Sequence, residues 1–152
     1  MIVTAKTMIS ALPNETWKVI SQINNDLQYW KGMMKLRNIS KNGNVFVREV
    51  ILKNGDKCYQ KIMLFPTDEI HVRWMEGTIN GTKDIMLTPM GKQTLLQVEM
   101  NYKIRGIASL FSREVSEDLR NEAELALQLI KEEVEKRQLF LMDVEARGPL
   151  HG

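Results

Sequence analysis

Apolar positions recur in two rhythms along the chain. Between about residues 35 and 105 they fall on every second residue, and after that on every third or fourth. The first rhythm belongs to strands with one buried face, the second to a helix with one buried stripe. Thr94 to Ile104 shows the cleanest alternation. Leu96, Val98, Met100, Tyr102 and Ile104 share one side, and Gln97, Glu99, Asn101, Lys103 and Arg105 share the other. Glu69 to Glu76 alternates likewise, with Ile70, Val72 and Trp74 opposite Glu69, His71 and Arg73. Further strands are predicted over Met1 to Ile9, Leu36 to Ser40, Val45 to Leu52, Lys57 to Phe65 and Thr78 to Thr88. Asn42-Gly43 and Asn54-Gly55 are hairpin signals, and Pro89-Met90-Gly91-Lys92 is a turn.

Two short helical segments precede most of these strands. Pro13 to Asn24 opens with proline, which suits a first helical turn, and spaces Trp17, Ile20 and Ile23 three apart. Asp26 to Lys31 carries Leu27, Tyr29 and Trp30 and stops at Gly32. After Gly106 a long helix is predicted from about Ala108 to Gln138. Its stripe is Phe111, Val115, Leu119, Ala123, Ala126, Ile130 and Val134. At 1.5 Å per residue it spans roughly 45 Å. The order is an α+β one: a strand, two short helices, hairpin-linked antiparallel strands, and one long helix. A sheet of six to seven strands curling around that helix hides both apolar faces at once. Residues 1–138 form the predicted domain and 139–152 a tail.

Composition narrows the function classes little. The chain has 152 residues, 43% hydrophobic and 26% charged, with 21 Lys+Arg against 19 Asp+Glu. That balance argues against a dedicated nucleic-acid binder. A single cysteine, Cys58, excludes an internal disulfide and Cys-based zinc clusters. No apolar run reaches membrane-spanning length and no secretory leader pattern opens the sequence, so a cytoplasmic location is expected. No metal-binding or phosphate-cradling motif appears, and no cofactor is implied. The acidic long helix, with Glu117–Arg120, Glu132–Lys136 and Glu133–Arg137 at pairing distance, reads as a solvated face. Ten methionines are the one oddity.

Several local patterns, taken in order, resemble one superfamily. Leu12-Pro13-Asn14-Glu15-Thr16-Trp17 is similar to an "apolar-Pro-x-x-x-Trp" entry into the first helix. Tyr29-Trp30 is similar to an aromatic pair closing the second. Leu87-Thr88-Pro89, Gly91 and Thr94-Leu95-Leu96 resemble a late hairpin, and Gly106 through Glu135 a closing helix. Together they resemble the START/polyketide-cyclase (SRPBCC) superfamily, which includes birch-pollen-allergen-like and coenzyme Q-binding START proteins. The sequence departs from it at Asn24-Asn25, where a "D-φ" pair often closes the first helix. The resemblance implies the helix-grip fold, with a cavity between curved sheet and long helix that holds lipids, isoprenoids, polyketides or other small hydrophobic ligands.

The predicted cavity lining follows from facing. It takes Tyr29 and Trp30 from the short helices; Ile62, Leu64, Ile70, Val72, Trp74, Met86, Val98, Met100 and Tyr102 from strands; and Phe111, Val115 and Leu119 from the long helix. The alternative is a solid core. Methionine suits an adaptable apolar lining. His71 is read as solvated on the outer sheet face, although its type would suit a general base. One of Arg48 and Glu49 points inward or lies at an edge, Asp84 reaches the interior or does not, and Tyr102 offers its hydroxyl to a ligand or to a protein group. The basic Lys103, Arg105 and Arg113 around Ile107 to Phe111 suit either transient contact with a membrane surface or an ordinary helix start.

The leading expectation is a cytoplasmic binder or carrier of a small hydrophobic ligand, a monomer or weak homodimer, with no nucleic-acid partner. Two alternatives stand beside it. One is a polyketide cyclase/dehydrase-type enzyme using an acid–base pair among Arg48, Glu49, Asp84 and Tyr102. The other is an interaction module like the chaperone activators, with a filled core and an exposed apolar patch.

Overall fold

A computed structural model describes residues 1–148. Seven strands form one antiparallel sheet: β1 (Ile2–Ile9), β2 (Met33–Asn42), β3 (Val45–Leu52), β4 (Lys57–Phe65), β5 (Glu69–Met75), β6 (Ile79–Met90) and β7 (Gln93–Ile104). Their spatial order is β1-β7-β6-β5-β4-β3-β2. Consecutive strands pair as hairpins, except that β1 pairs β7 across most of the chain (Ile2 opposite Asn101, Ile9 opposite Thr94). Helix α1 (Pro13–Ile20) and a 3₁₀ segment (Ile23–Gln28) lie between β1 and β2. A second 3₁₀ segment (Gly106–Phe111) leads into the long helix α2 (Ser112–Arg147).

The alternation expected of β5 and β7 is realised. Ile70 and Val72 are buried on β5, and Leu96, Val98, Met100 and Tyr102 on β7. They face α2, whose Leu119, Ala123, Ala126, Leu127, Ile130 and Val134 close the core. Alanines at 123 and 126 have no exposed surface; their small side chains let the helix lie close to the sheet.

Element boundaries differ from the expectation at both short helices, at both ends of the long helix and in the first hairpin. The second short helix is 3₁₀ and begins at Ile23, and the α-helical stretch before it stops at Ile20. Asn24, Asn25 and Asp26 are weak helix formers, and they hold only the tighter i→i+3 turns. The long helix starts four residues later than predicted, because Gly106 (φ +68°) turns the chain into a 3₁₀ segment first. It also runs on to Arg147, so the predicted tail begins as helix; His151 lies outside the described residues. In the first hairpin Asn42 pairs with Val45, which makes Gly43-Asn44 the turn and puts Gly43 at φ +60°.

One glycine is held by a close backbone approach. On β6, an ideal Cβ at Gly81 would stand 2.0 Å from the Asn101 carbonyl oxygen and 2.6 Å from Tyr102 Cα. Gly81→Ala therefore forces β6 away from β7. It is expected to lower the unfolding free energy by about 2 kcal/mol, read by urea denaturation; an unchanged midpoint would contradict the packing.

Candidate functional site

A cavity of about 230 Å³ lies between one end of the sheet and the first turns of α2. Every layer contributes to its wall. Trp30 follows the first 3₁₀ segment, Met33 opens β2, Trp74 comes from β5 and Met100 from β7, while Val115 and Leu119 come from α2. Cys58 and Gln60 of β4 and Lys83 of β6 complete the sheet side, and Asp118 and Glu122 the helix side. The wall is thus mainly apolar and aromatic with a few charged groups, the usual make-up of a small-molecule site.

Lys83 is the group the sequence pattern did not single out. It is 3% exposed, and its Nζ stands 3.6 Å from the Trp30 ring centroid and 5.9 Å from that of Trp74. Burial lowers its pKa from 10.5 to about 8, against the pull of Asp26 and Glu122, while Arg48 adds to the lowering. Glu122 packs over Gly32, where a Cβ would lie 2.3 Å from its Oε2. Burial pushes the Glu122 carboxyl above its ordinary value, opposed by Lys83, the Gly32 amide and Lys53. Burial likewise raises the Cys58 thiol, so it stays protonated, as suits the small core residue expected there.

A buried network fastens the 3₁₀ segment behind this wall. Arg48 of β3 is 1% exposed. It donates from Nε to Gln60 Oε1 at 2.9 Å, from Nη1 to the Ile23 carbonyl at 2.8 Å and from Nη2 to Asp26 Oδ2 at 2.6 Å. The Trp30 amide then donates to the Asp26 carbonyl at 2.8 Å. Arg48 thus sets where Trp30 stands. Burial raises the Asp26 carboxyl, while Arg48 and Lys83 hold it down.

The predicted lining residues divide into four groups. Trp30, Trp74, Met100, Val115 and Leu119 line the cavity. Tyr29, Ile62 and Val72, with Ile70, surround a residual space of about 10 Å³ deeper in the core, which is packed solid. Leu64 and Val98 belong to the inner face without reaching the cavity. Tyr102 is also inward, but its hydroxyl is satisfied by Ser116 Oγ at 2.6 Å. Two residues lie elsewhere. Met86 pairs across the ladder with Glu69 and Gln97, and it is Ile85 and Leu87 that are buried on β6, so Met86 is on the outer face. Phe111 is 55% exposed, because the 3₁₀ turn carries it off the α2 stripe.

The four candidates for an acid–base pair all miss the cavity lining. Arg48 is committed to its network and Tyr102 to Ser116. Glu49 is outside, bridged to Arg37 at 2.9 Å and Lys57 at 3.5 Å. Asp84 is outside too, with His71 Nδ1 at 2.5 Å from its Oδ1. His71 is half-buried on that outer face, as read from the alternation. Glu69 joins them in a group whose ligand-type atoms lie within 4.8 Å of one another, and burial and Asp84 raise its carboxyl. The helix carries its predicted ion pair Arg137–Glu133, at 2.9 Å, on its solvated face. No helix among the described residues is long and apolar enough to cross a membrane.

A curved seven-stranded antiparallel sheet gripping one long helix, with two short helical segments after the first strand, is the helix-grip fold. No family model matches the sequence, and no curated protein does. Solved structures do match in shape. TTHA0849 from Thermus thermophilus superposes with a TM-score of 0.79 at 14% identity, covering 90% of this chain and 99% of that one. The Zhui aromatase/cyclase from Streptomyces sp. R1128 gives 0.74 at 13% identity, with 90% and 94% covered. Ara h 8.0201 gives 0.68 at 14% identity, with 90% and 98% covered. At these identities the likeness is one of fold.

Proposed function

We propose that the chain binds a small, mainly apolar ligand of one- or two-ring size in the cavity beneath α2, with an acceptor group directed at Lys83. The observation that carries this reading is the cavity itself, about 230 Å³ with indole, thioether and aliphatic walls and one buried ammonium. A dry apolar cavity of about 150 Å³ takes a benzene ring, so a bicyclic compound suits this one, whereas a sterol or a long isoprenoid chain is too large. Desolvation of the ligand drives binding, and Lys83 orients its polar end. The solid-core and interaction-module expectations both required this space to be filled.

Val115 stands at the helix side of the cavity, half-buried. Val115→Trp is expected to fill the space and weaken binding of 2-naphthylmethanol by about tenfold or more, about 1.4 kcal/mol, by isothermal titration calorimetry. Unweakened binding by the variant would place the ligand elsewhere. An enzyme of cyclase or dehydrase type is a second reading. One observation favours it: an amine and a carboxyl, Lys83 and Glu122, line the same cavity, which none of the four sequence candidates does. For a carrier, Ile107 and Leu110 are 78% and 79% exposed beside Lys103, Arg105 and Arg113, which is a surface suited to touching a membrane.

A further inference from the structure

Two cations are buried in this core, and they are treated differently. Arg48 has three hydrogen-bond acceptors. Lys83 Nζ, among the described residues, has no hydrogen-bond or salt-bridge partner; its neighbours are the faces of Trp30 and Trp74, and it opens on the cavity. A buried ammonium without acceptors is poorly solvated. A neutral amine in the same place is at ease, and a neutral amine is a nucleophile. Across the cavity, Glu122 supplies a carboxyl group from α2.

Building on the ligand-cavity reading above, we infer that Lys83 captures the carbonyl group of a small aromatic aldehyde or ketone as a reversible imine, with the Glu122 carboxyl relaying the protons. The Lys83 ammonium first passes a proton to the Glu122 carboxylate; the amine lone pair then forms the C–N bond, and the carbonyl π pair moves to oxygen, which takes that proton. The nitrogen returns a proton to the Glu122 carboxylate, leaving a neutral carbinolamine. Glu122 then protonates the hydroxyl, which leaves as water while the nitrogen lone pair closes the C=N bond. The iminium N–H proton goes back to Glu122. The sum is amine plus carbonyl giving imine plus water, with no oxidant or reductant.

The titration of Lys83 supports this. Its pKa of about 8 leaves a large neutral fraction at mildly alkaline pH. Asp26 on the 3₁₀ segment, Glu122 on α2, Arg48 on β3 and Cys58 on β4 act on it, and Asp118 of α2 and Lys53, which follows β3, line the same cavity.

The test uses the whole chain with 2-naphthaldehyde and cyanoborohydride, which reduces an imine to a stable amine. Intact mass and peptide mapping read the product, and mapping separates Lys83 from the reactive α-amino group. At pH about 8, Lys83 is expected to be labelled about tenfold or more faster than any other lysine. Lys83→Met and Lys83→Arg should each lose that label while staying folded by circular dichroism. Glu122→Gln should slow capture by about tenfold or more, and Glu122→Asp should restore part of that rate. If the alcohol binds but the label is spread over surface lysines, or spares Lys83, the imine inference is overturned and the cavity reading survives. If neither compound enters, the cavity reading fails with it.

Discussion

Arg48→Met is expected to remove about 3 kcal/mol of stability, at the low end of the range for breaking a buried ion pair. The variant loses three hydrogen bonds at once and strands the Gln60 carbonyl, the Ile23 carbonyl and Asp26. The low end applies because the Asp26 side chain keeps 15% of its exposure. With Arg48 gone, burial raises the Asp26 carboxyl with only Lys83 opposing it. The variant's folded state then holds the proton more tightly than the wild-type fold, in which Arg48 opposes it. The variant's deficit should therefore shrink as pH falls into the carboxylate range. Urea denaturation of wild type, Arg48→Met, Asp26→Asn and the double variant gives the coupling between them. A loss under about 1 kcal/mol, or two additive single effects, would mean that the network is not what holds the segment. Because Trp30 hangs on Asp26, naphthylmethanol binding should weaken in the same variant.

The second large effect is on pH dependence. Lys83 has a pKa of about 8 in the fold against 10.5 for the exposed side chain. The unfolded chain therefore binds more protons between those values, and stability rises with pH across that window. Below pH about 8 the charged side chain weakens the fold by the full amount, about 3 kcal/mol for that gap. Above 10.5 the penalty is gone. Lys83→Met should flatten this rise. At neutral pH the variant should be more stable than wild type by about 1–2 kcal/mol, since the lost cation–π contact offsets part of the gain. Stability of both proteins measured across the alkaline range decides it, and parallel curves would show that Lys83 carries no penalty. A buried lysine that weakens the fold at neutral pH is retained at the expense of stability, as groups at functional sites often are.

The sheet is legible in the sequence because its strands alternate strictly, and parity along a strand fixes which side faces the helix. The same parity explains the misplacement of Met86: Ile85 and Leu87 hold the inner face of β6, and an apolar side chain on the wrong parity stays outside. It also explains why Lys83 escapes notice. Lys83 shares the parity of Ile85 and Leu87, so its position is readable, but a charged residue in a strand looks like a solvated one. Glu122 follows Leu119 by three residues and thereby joins the inner stripe of α2, again against its type. Arg48 reads from the sequence as one of an inward or edge pair, and only its three partners, brought together from three elements, show how a guanidinium can sit there. Phe111 fails for a different reason. A 3₁₀ turn shifts the helical phase, which residue spacing alone does not reveal. Of the ten methionines, Met33 and Met100 line the cavity, which is a smaller share than the composition invited.

The pairing of β1 with β7 has a consequence in time. The two strands meet across a sequence separation of 101 at the Met1 to Tyr102 contact. A ribosome adding about 5–20 residues per second leaves β1 without its partner for about 5–20 s. During that interval Val3 and Ile9, both buried in the finished fold, have no sheet to enter. The strand made first is among the last to find its place, and closure of the sheet's outer edge awaits the synthesis of β7.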